Sequence, residues 1–174
     1  MDTPVSRSTL VRLDEDMRAV IAAQRLCFAA TVTPEGRPSL SPKGTVRVWG
    51  DHHLLFCDIA SPGTRTNLER NAWIELNVVD TISRRGYRFL GRATLHRAGQ
   101  VYEEAVAQIT REEGTAYPVE AVVLIAVERA LPVVSPGYDH VADERVMRSL
   151  WKERRRELDA EFERHIDRRG PWRA

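Results

Sequence analysis

Apolar positions along this chain change period several times, and each change marks an element. Leu10, Leu13, Met17, Val20 and Ile21 recur three or four apart, which predicts an amphipathic helix over residues 10–24. Residues 26–33 read as a strand, and Pro34-Glu35-Gly36-Arg37-Pro38 as a turn, with Pro presetting φ and Gly able to take positive φ. Residues 39–49 are the expected return strand and Gly50-Asp51-His52-His53 the next turn. Residues 54–59 are short and apolar enough for a central strand. A short helix is expected over 64–71, then strands over 73–79 and 87–95 around a polar connection at 81–85.

The second half is simpler. Val101, Ala105 and Ile109 share one face of a helix over 99–113, which Gly114 stops. Residues 121–127 form another buried strand. Residues 131–138 contain Pro132 and Pro136 and are expected to be a loop that cannot join a ladder continuously. From Ala142 onward one long charged helix is predicted, with Val146, Leu150, Leu158, Phe162 and Ile166 stepping by four and Arg154 in the gap. The aliphatic stem of Arg154 can cover apolar surface there.

Short strands joined by hairpin-sized turns imply an α+β fold with a mostly antiparallel sheet of about six strands. Closure into a barrel would remove its exposed edges. Strands do not alternate with full-length helices, so a doubly wound parallel sheet is disfavoured. No linker or repeat interrupts 1–174, which reads as a single domain with its core over about 17–138 and a charged helix over about 142–168.

Composition narrows the function classes. With 174 residues, 43% hydrophobic, the chain can build a real core, and a net charge of +1 gives no field directed at nucleic acid or anionic membrane. No apolar run reaches membrane-spanning length and the start lacks the apolar core of a secretion signal. Cys27 and Cys57 fall in predicted strands without Cys-x-x-Cys spacing, so buried free thiols and a reducing cytoplasm are expected. Arg154-Arg155-Arg156 and Arg168-Arg169 look basic alone. Residues 142–174, however, hold ten Lys/Arg against eight Asp/Glu, as expected of a solvated face laced with ion pairs.

Several chemistries lack support. No Gly-x-Gly-x-x-Gly follows a strand, and Pro42-Lys43-Gly44-Thr45 lacks the glycine spacing of a P-loop. His52 and His53 point apart with no third ligand nearby, and His96, His140 and His165 are scattered. Neither a nucleophilic-serine elbow nor a carboxylate pair in an apolar setting stands out.

What remains lies between Leu40 and Leu95. Hydroxyls, backbone amides and a guanidinium gather in Ala60-Ser61-Pro62-Gly63-Thr64-Arg65-Thr66-Asn67-Leu68, where a strand hands over to a short helix, an arrangement suited to a phosphate monoester. Ser61 or Thr64 can cap that helix or donate to a phosphate oxygen, Gly63 lets backbone come close, and Arg65 can bind two oxygens at once. The alternative is a plain helix cap with Arg65 facing water. Arg88 can equally pair with Glu75 or Asp58.

Taken in order, Phe28-Ala29-Ala30-Thr31-Val32, the Pro34-Glu35-Gly36 turn, Ser39-Leu40-Ser41-Pro42-Lys43-Gly44-Thr45, Ser61 to Leu68 with Asn71, and Tyr87-Arg88-Phe89-x-Gly91 resemble the pyridoxamine 5′-phosphate oxidase-like family of flavin-binding split β-barrels. The resemblance spans about 17–138. It implies a homodimer holding two FMN molecules in clefts between subunits. Ser41, Pro42, Lys43, Gly44 and Thr45 would then run along the flavin, and Ser61, Thr64, Arg65 and Asn67 would hold its phosphate, with Asp58 and Arg88 nearby. Removing Arg65 is accordingly expected to weaken FMN binding and leave the apoprotein's stability unchanged. A barrel this small cannot enclose an isoalloxazine, which independently motivates a second wall from a twofold partner. Trp49, Trp73 or Trp151 could sit at that interface, or pack in the core or at its rim.

The tail ending Arg168-Arg169-Gly170-Pro171-Trp172-Arg173-Ala174 does not match the segment with which true pyridoxamine-phosphate oxidases grip their substrate. The expectation is therefore a general flavin-dependent oxidoreductase acting on a small molecule. The flavin carries the chemistry, and the 41–45 strand or Lys43 stabilises the reduced anion. Two alternatives stand beside it. One is a deazaflavin coenzyme whose acidic tail would draw on Arg37, Arg47, Arg84 and Arg85. The other is a module that holds flavin or haem without turnover, or serves as an interaction platform.

Overall fold

A computed structural model describes residues 10–114, 116–141 and 143–170. The strand-turn-strand pattern at the start gives β1 (Cys27–Val32) and β2 (Pro38–Lys43), paired antiparallel with Phe28 opposite Pro42 and Ala30 opposite Leu40. Gly36 makes the turn at φ +78°, where a side chain would be strained. Alternation places Cys27, Ala29 and Thr31 inward and Phe28 and Val32 outward.

The chain continues through β3 (Arg47–Trp49), β4 (His53–Asp58), α2 (Pro62–Arg70), β5 (Trp73–Asp80), β6 (Arg85–His96), α3 (Gln100–Glu113) and β7 (Ala121–Val134), preceded by α1 (Glu15–Ala23). The strands make one seven-stranded sheet in the order β2-β1-β5-β6-β7-β4-β3. The expected return strand over 39–49 is thus two strands, and the sheet has seven rather than six. Gly44, Thr45 and Val46 interrupt pairing, and the strands on either side of them lie at opposite edges of the sheet. Four Cα–Cα steps join those edges, about 15 Å at most. The sheet must therefore curl until its edges approach without closing, which is a split barrel.

Leu54, Phe56, Ile74, Leu76, Val78, Phe89, Val123 and Ile125 fill its core, all within 1% of full burial. Ala105 and Ile109 of α3 pack on a second cluster with Leu55, Cys57 and Val122. Gly91 belongs to this tight packing, because a Cβ there would lie 2.2 Å from the carbonyl oxygen of Ala126.

Two further sequence expectations change. Leu10 and Leu13 precede α1, which begins only after Asp14 caps it by accepting from Met17 N–H at 2.8 Å. Leu13 is buried from extended chain held by its N–H to the Asp51 carbonyl. Pro132 lies inside β7 rather than in a loop. β4 pairs β7 only over Ala121–Ala126, so the proline falls where no β4 donor or acceptor faces it. The expected apolar stripe of α4 (Glu144–Arg169) is present, but Val146, Leu150, Leu158 and Phe162 are 42–59% exposed, and only Met147 is buried.

The residues fall into two compact units. One comprises the chain to Val79 with Gly86–Val133; the other comprises Asp80–Arg85 with the residues from Val134 onward. Within the second, the 80–85 turn binds the first turns of α4. Arg148 pairs with Asp80, Arg85 Nε donates to Glu144 at 2.8 Å, and the Arg84 guanidinium lies 3.9 Å over the Trp151 ring. Farther along α4, Arg154–Glu157 and Arg155–Asp159 are the local ion pairs its charge pattern implied.

Candidate functional site

β2 ends, and α2 begins, around one buried ammonium. Lys43 is 4% exposed, and its Nζ donates to Ser41 Oγ at 2.6 Å and Ser61 Oγ at 2.8 Å while lying 5.5 Å above the Phe56 ring. Its placement follows from strand alternation: register sets Lys43 opposite inward-facing Cys27. Burial lowers the Lys43 pKa, and the nearby Asp58 carboxylate opposes that shift. Two serine oxygens replace part of the ammonium's lost hydration. Their own hydroxyl hydrogens remain available to a further acceptor.

Ser61 is the residue before α2, yet its side chain makes no cap hydrogen bond; it is turned to Lys43 instead. Pro62 occupies the first turn, where its missing N–H costs nothing. Thr45 anchors the interruption between β2 and β3: its Oγ1 donates to the Cys57 carbonyl and accepts the Cys57 N–H, each at 2.9 Å. That hydroxyl therefore does structural work in the groove wall.

Asp58 closes β4 with a fully buried side chain, and Oδ2 is held by Arg65 of α2. Among the described residues, the buried Oδ1 has no hydrogen-bond partner. Arg65 keeps further donors beyond the one given to Asp58, and its side chain is 20% exposed. A groove of about 370 Å³ opens over this cluster, lined among others by Lys43, Gly44, Thr45, Asp58 and Ser61. Pro42 also lines it.

Not every residue singled out from sequence reaches the groove. Asn67 donates to Thr31 Oγ1 at 2.8 Å, and both are buried, so it ties α2 to β1. Thr64 is likewise on the buried face of α2. Arg88 pairs with Glu75 across the β5–β6 hairpin, resolving its two possible partners away from Asp58. Conversely, Glu113 and Tyr117 line the groove and carried no local signal; they come from the end of α3 and the chain after it. Glu113 Oε1 accepts from Arg25 and Arg47, both at 2.9 Å. Among the described residues, no group of three His, Cys, Asp or Glu could hold a metal ion. Nor is any described helix long and apolar enough to cross a membrane.

A split antiparallel barrel with a polar, hydroxyl-lined groove where strand meets helix defines the architectural class. The chain belongs to the pyridoxamine 5′-phosphate oxidase family, whose model matches residues 13–133. It is 34% identical to HupZ from Group A Streptococcus, over 70% of this chain and 94% of that one, with a TM-score of 0.64. An FMN-binding protein from Syntrophomonas wolfei subsp. wolfei shares the fold at 16% identity, over 71% of this chain and 87% of that one, with a TM-score of 0.62. An F420 reductase does so at 16% identity, over 68% and 98%, with a TM-score of 0.55. No curated protein matches the chain.

Proposed function

We propose that the chain binds FMN in the groove between β2, β4 and α2 and works as a flavin-dependent oxidoreductase. The observation that carries this reading is the buried Lys43 ammonium joined to Ser41 and Ser61, with Arg65 on the adjoining helix turn. Two fixed cations and two hydroxyls are a donor set for a phosphate dianion. The first amides of α2 add to it, since a helix start favours negative charge. In this reading Lys43, Ser61 and Arg65 hold the phosphate, while Pro42, Gly44 and Thr45 form the wall along which the remainder of the cofactor lies. FMN supplies the hydride chemistry when bound; the protein binds, orients and shields it.

The same reading places a second copy of the chain across the outer face of β1 and β2. Phe28, Val32 and Leu40 are 46%, 37% and 67% exposed there, an apolar surface on the strands that carry Ser41 and Lys43. A twofold partner would cover that face and supply a further wall to the groove.

FMN is favoured over a deazaflavin coenzyme because three of the four arginines suited to an acidic tail are engaged, Arg37 being exposed. Arg47 is bound to Glu112 and Glu113, Arg85 to Glu144, and Arg84 is stacked on Trp151. The test is an absorption spectrum of the purified protein followed by FMN titration. Paired flavin bands, or saturable binding at one FMN per chain, are expected. Absence of FMN binding refutes the proposal, and saturation by the deazaflavin coenzyme instead would replace it. Turnover is then assayed by reduction of the bound flavin with a nicotinamide donor.

A further inference from the structure

The two serines around Lys43 form a chemical unit of their own. Lys43 Nζ lies 2.8 Å from Ser61 Oγ and 2.6 Å from Ser41 Oγ, so a hydroxyl, an amine and a second hydroxyl are hydrogen-bonded in sequence. A nucleophile within reach of a base that a third group orients is the arrangement by which serine hydrolases work, and lysine is one of the bases they use. Both reacting groups, Lys43 and Ser61, line the groove of about 370 Å³. Their exposure suits the two roles: Ser61 is half-buried, whereas Lys43 is 4% exposed. A lysine acts as base only when neutral, and burial lowers the Lys43 pKa against the opposing charges of Asp58 and Cys27. Ser61 also stands at a strand-to-helix turn, between the end of β4 and Pro62 at the start of α2. Its side chain makes no cap bond, so its oxygen is not committed to the helix. Pro62 has no N–H, and the Arg65 N–H is given to the Ser61 carbonyl at 3.2 Å. The amides of Gly63 and Thr64 are thus left without a partner inside the helix. A helix start of this kind stabilises the negative charge that develops on a carbonyl oxygen when its carbon is attacked.

We infer that Ser61 is a nucleophile with Lys43 as its general base, and that the chain, with no phosphate in the groove, hydrolyses small carboxylic esters through an acyl-Ser61 intermediate. Ser61 Oγ bonds to the ester carbonyl carbon as its proton passes to the neutral Lys43 Nζ. The tetrahedral carbon then expels the alcohol, which breaks the ester C–O bond and leaves with that proton. Water attacks the acyl group next and gives its proton to Lys43, and collapse returns that proton to Ser61 Oγ as the acid departs. Ser41 is a positioning residue, since it touches Lys43 and does not line the groove. The groove's volume suits a short acyl chain. This activity goes beyond the flavin reading and does not rest on it: a phosphate beside Lys43 would hold it as the ammonium and cover Ser61, so the two uses exclude each other.

The probe is p-nitrophenyl acetate, given to the full chain stripped of flavin, with release of p-nitrophenolate followed by absorbance and the acetylated residue located by mass spectrometry. The expected result is a burst of one p-nitrophenolate per chain, acetyl on Ser61, and a rate that climbs with pH along a limb below the ordinary lysine range. Ser61→Ala and Lys43→Met should each lower the rate by about a hundredfold or more. Lys43→Arg should do the same, because it keeps the cation but cannot act as a base. Ser41→Ala should slow the reaction and move the limb to lower pH, since it removes an acceptor from the ammonium. Acetyl found only on surface lysines or histidines, or a rate unchanged in Ser61→Ala, would overturn the inference. Should Lys43→Met fail to fold, the Ser61→Ala comparison and the position of the acetyl group decide. A chain that is acetylated on Ser61 yet binds no FMN refutes the cofactor reading alone. One that binds FMN yet is never acylated refutes this inference alone.

Discussion

Arg65→Ala tests the physical core of the site before any ligand is added. The substitution leaves the fully buried Asp58 carboxylate without its guanidinium, and Oδ1 already has no partner. Breaking a buried ion pair from one side costs roughly 3–5 kcal/mol, because the surviving charge stays buried. Arg65 itself is 20% exposed, so water can enter the space it leaves and the low end applies, about 3 kcal/mol. For a domain of this size that corresponds to a fall of about 6–12 °C in Tm. The assay is thermal and urea unfolding of apoprotein for the wild type, Arg65→Ala and the double variant Arg65→Ala with Asp58→Val. The double variant removes both charges and should recover much of the loss, since replacing a buried pair by apolar groups is often near neutral. An apoprotein Arg65→Ala that melts within 1–2 °C of wild type, about half a kcal/mol, would refute the reasoning. It would return Arg65 to the purely ligand-facing role that the sequence suggested.

Cys27 and Cys57 are buried, and burial pushes their pKa values up to about 12 and about 11. Neither should react with a thiol reagent at pH 8 until denaturant is added, after which both should titrate; prompt labelling of the native chain would contradict their packing. Gly91→Ala should destabilise by about 1–3 kcal/mol through overpacking, measured by urea unfolding, because its Cβ meets Ala126 backbone at 2.2 Å. An unchanged midpoint would mean that β6 and β7 separate at no cost. Stability should also fall below about pH 4. Burial alone would raise the Asp80 pKa, but the Ile82 N–H, Ser83 and Arg148 outweigh it; Glu112 is lowered by Gln108 and Arg47. Both carboxyls therefore hold protons less readily folded than unfolded. Their contribution is present above the ordinary carboxylate range and is lost as pH falls through the folded values. Melting against pH for Asp80→Asn should show a shallower acid limb than wild type, and identical limbs would sink the assignment.

Local pattern carried much of the fold. Alternation in Cys27–Val32 and the uninterrupted apolar run Leu54–Cys57 within β4 state which strands are half-buried and which are buried on both faces. Pro62 opens α2, two residues before the start at Thr64 that the sequence suggested. Lys43 and Ser61 of the groove were legible for the same reason, since each lies beside a recognisable turn, whereas Ser41 and Arg65 only touch residues that line it. What escaped was pairing at a distance. Asn67 looks like a surface helix residue until Thr31 is brought beneath it. Arg65 looks free until β4 ends at Asp58, and Glu113 joins the groove only because α3 packs against Arg47. Pro132 misled because a proline forbids a ladder bond only where a neighbour is present to receive it. The apolar spacing of α4 was read correctly as a stripe, but spacing alone does not say whether anything packs on it.

The three residues Gly44, Thr45 and Val46, which carry the chain from one edge of the sheet to the other, also set the order in which the molecule can mature. Hairpins β1–β2 and β3–β4 are local and cheap to close, so both halves of the groove's rim can form early in synthesis. β4 finds its other neighbour only in β7, far downstream, where Asp58 pairs with Ala121. Until that distant strand emerges, Asp58 has no settled place and the rim encloses nothing. Contacts of such sequence separation are the slow ones in folding. The groove should therefore take shape late, and a nascent chain truncated before β7 would hold two separate ladders, β2-β1-β5-β6 and β4-β3, and no pocket.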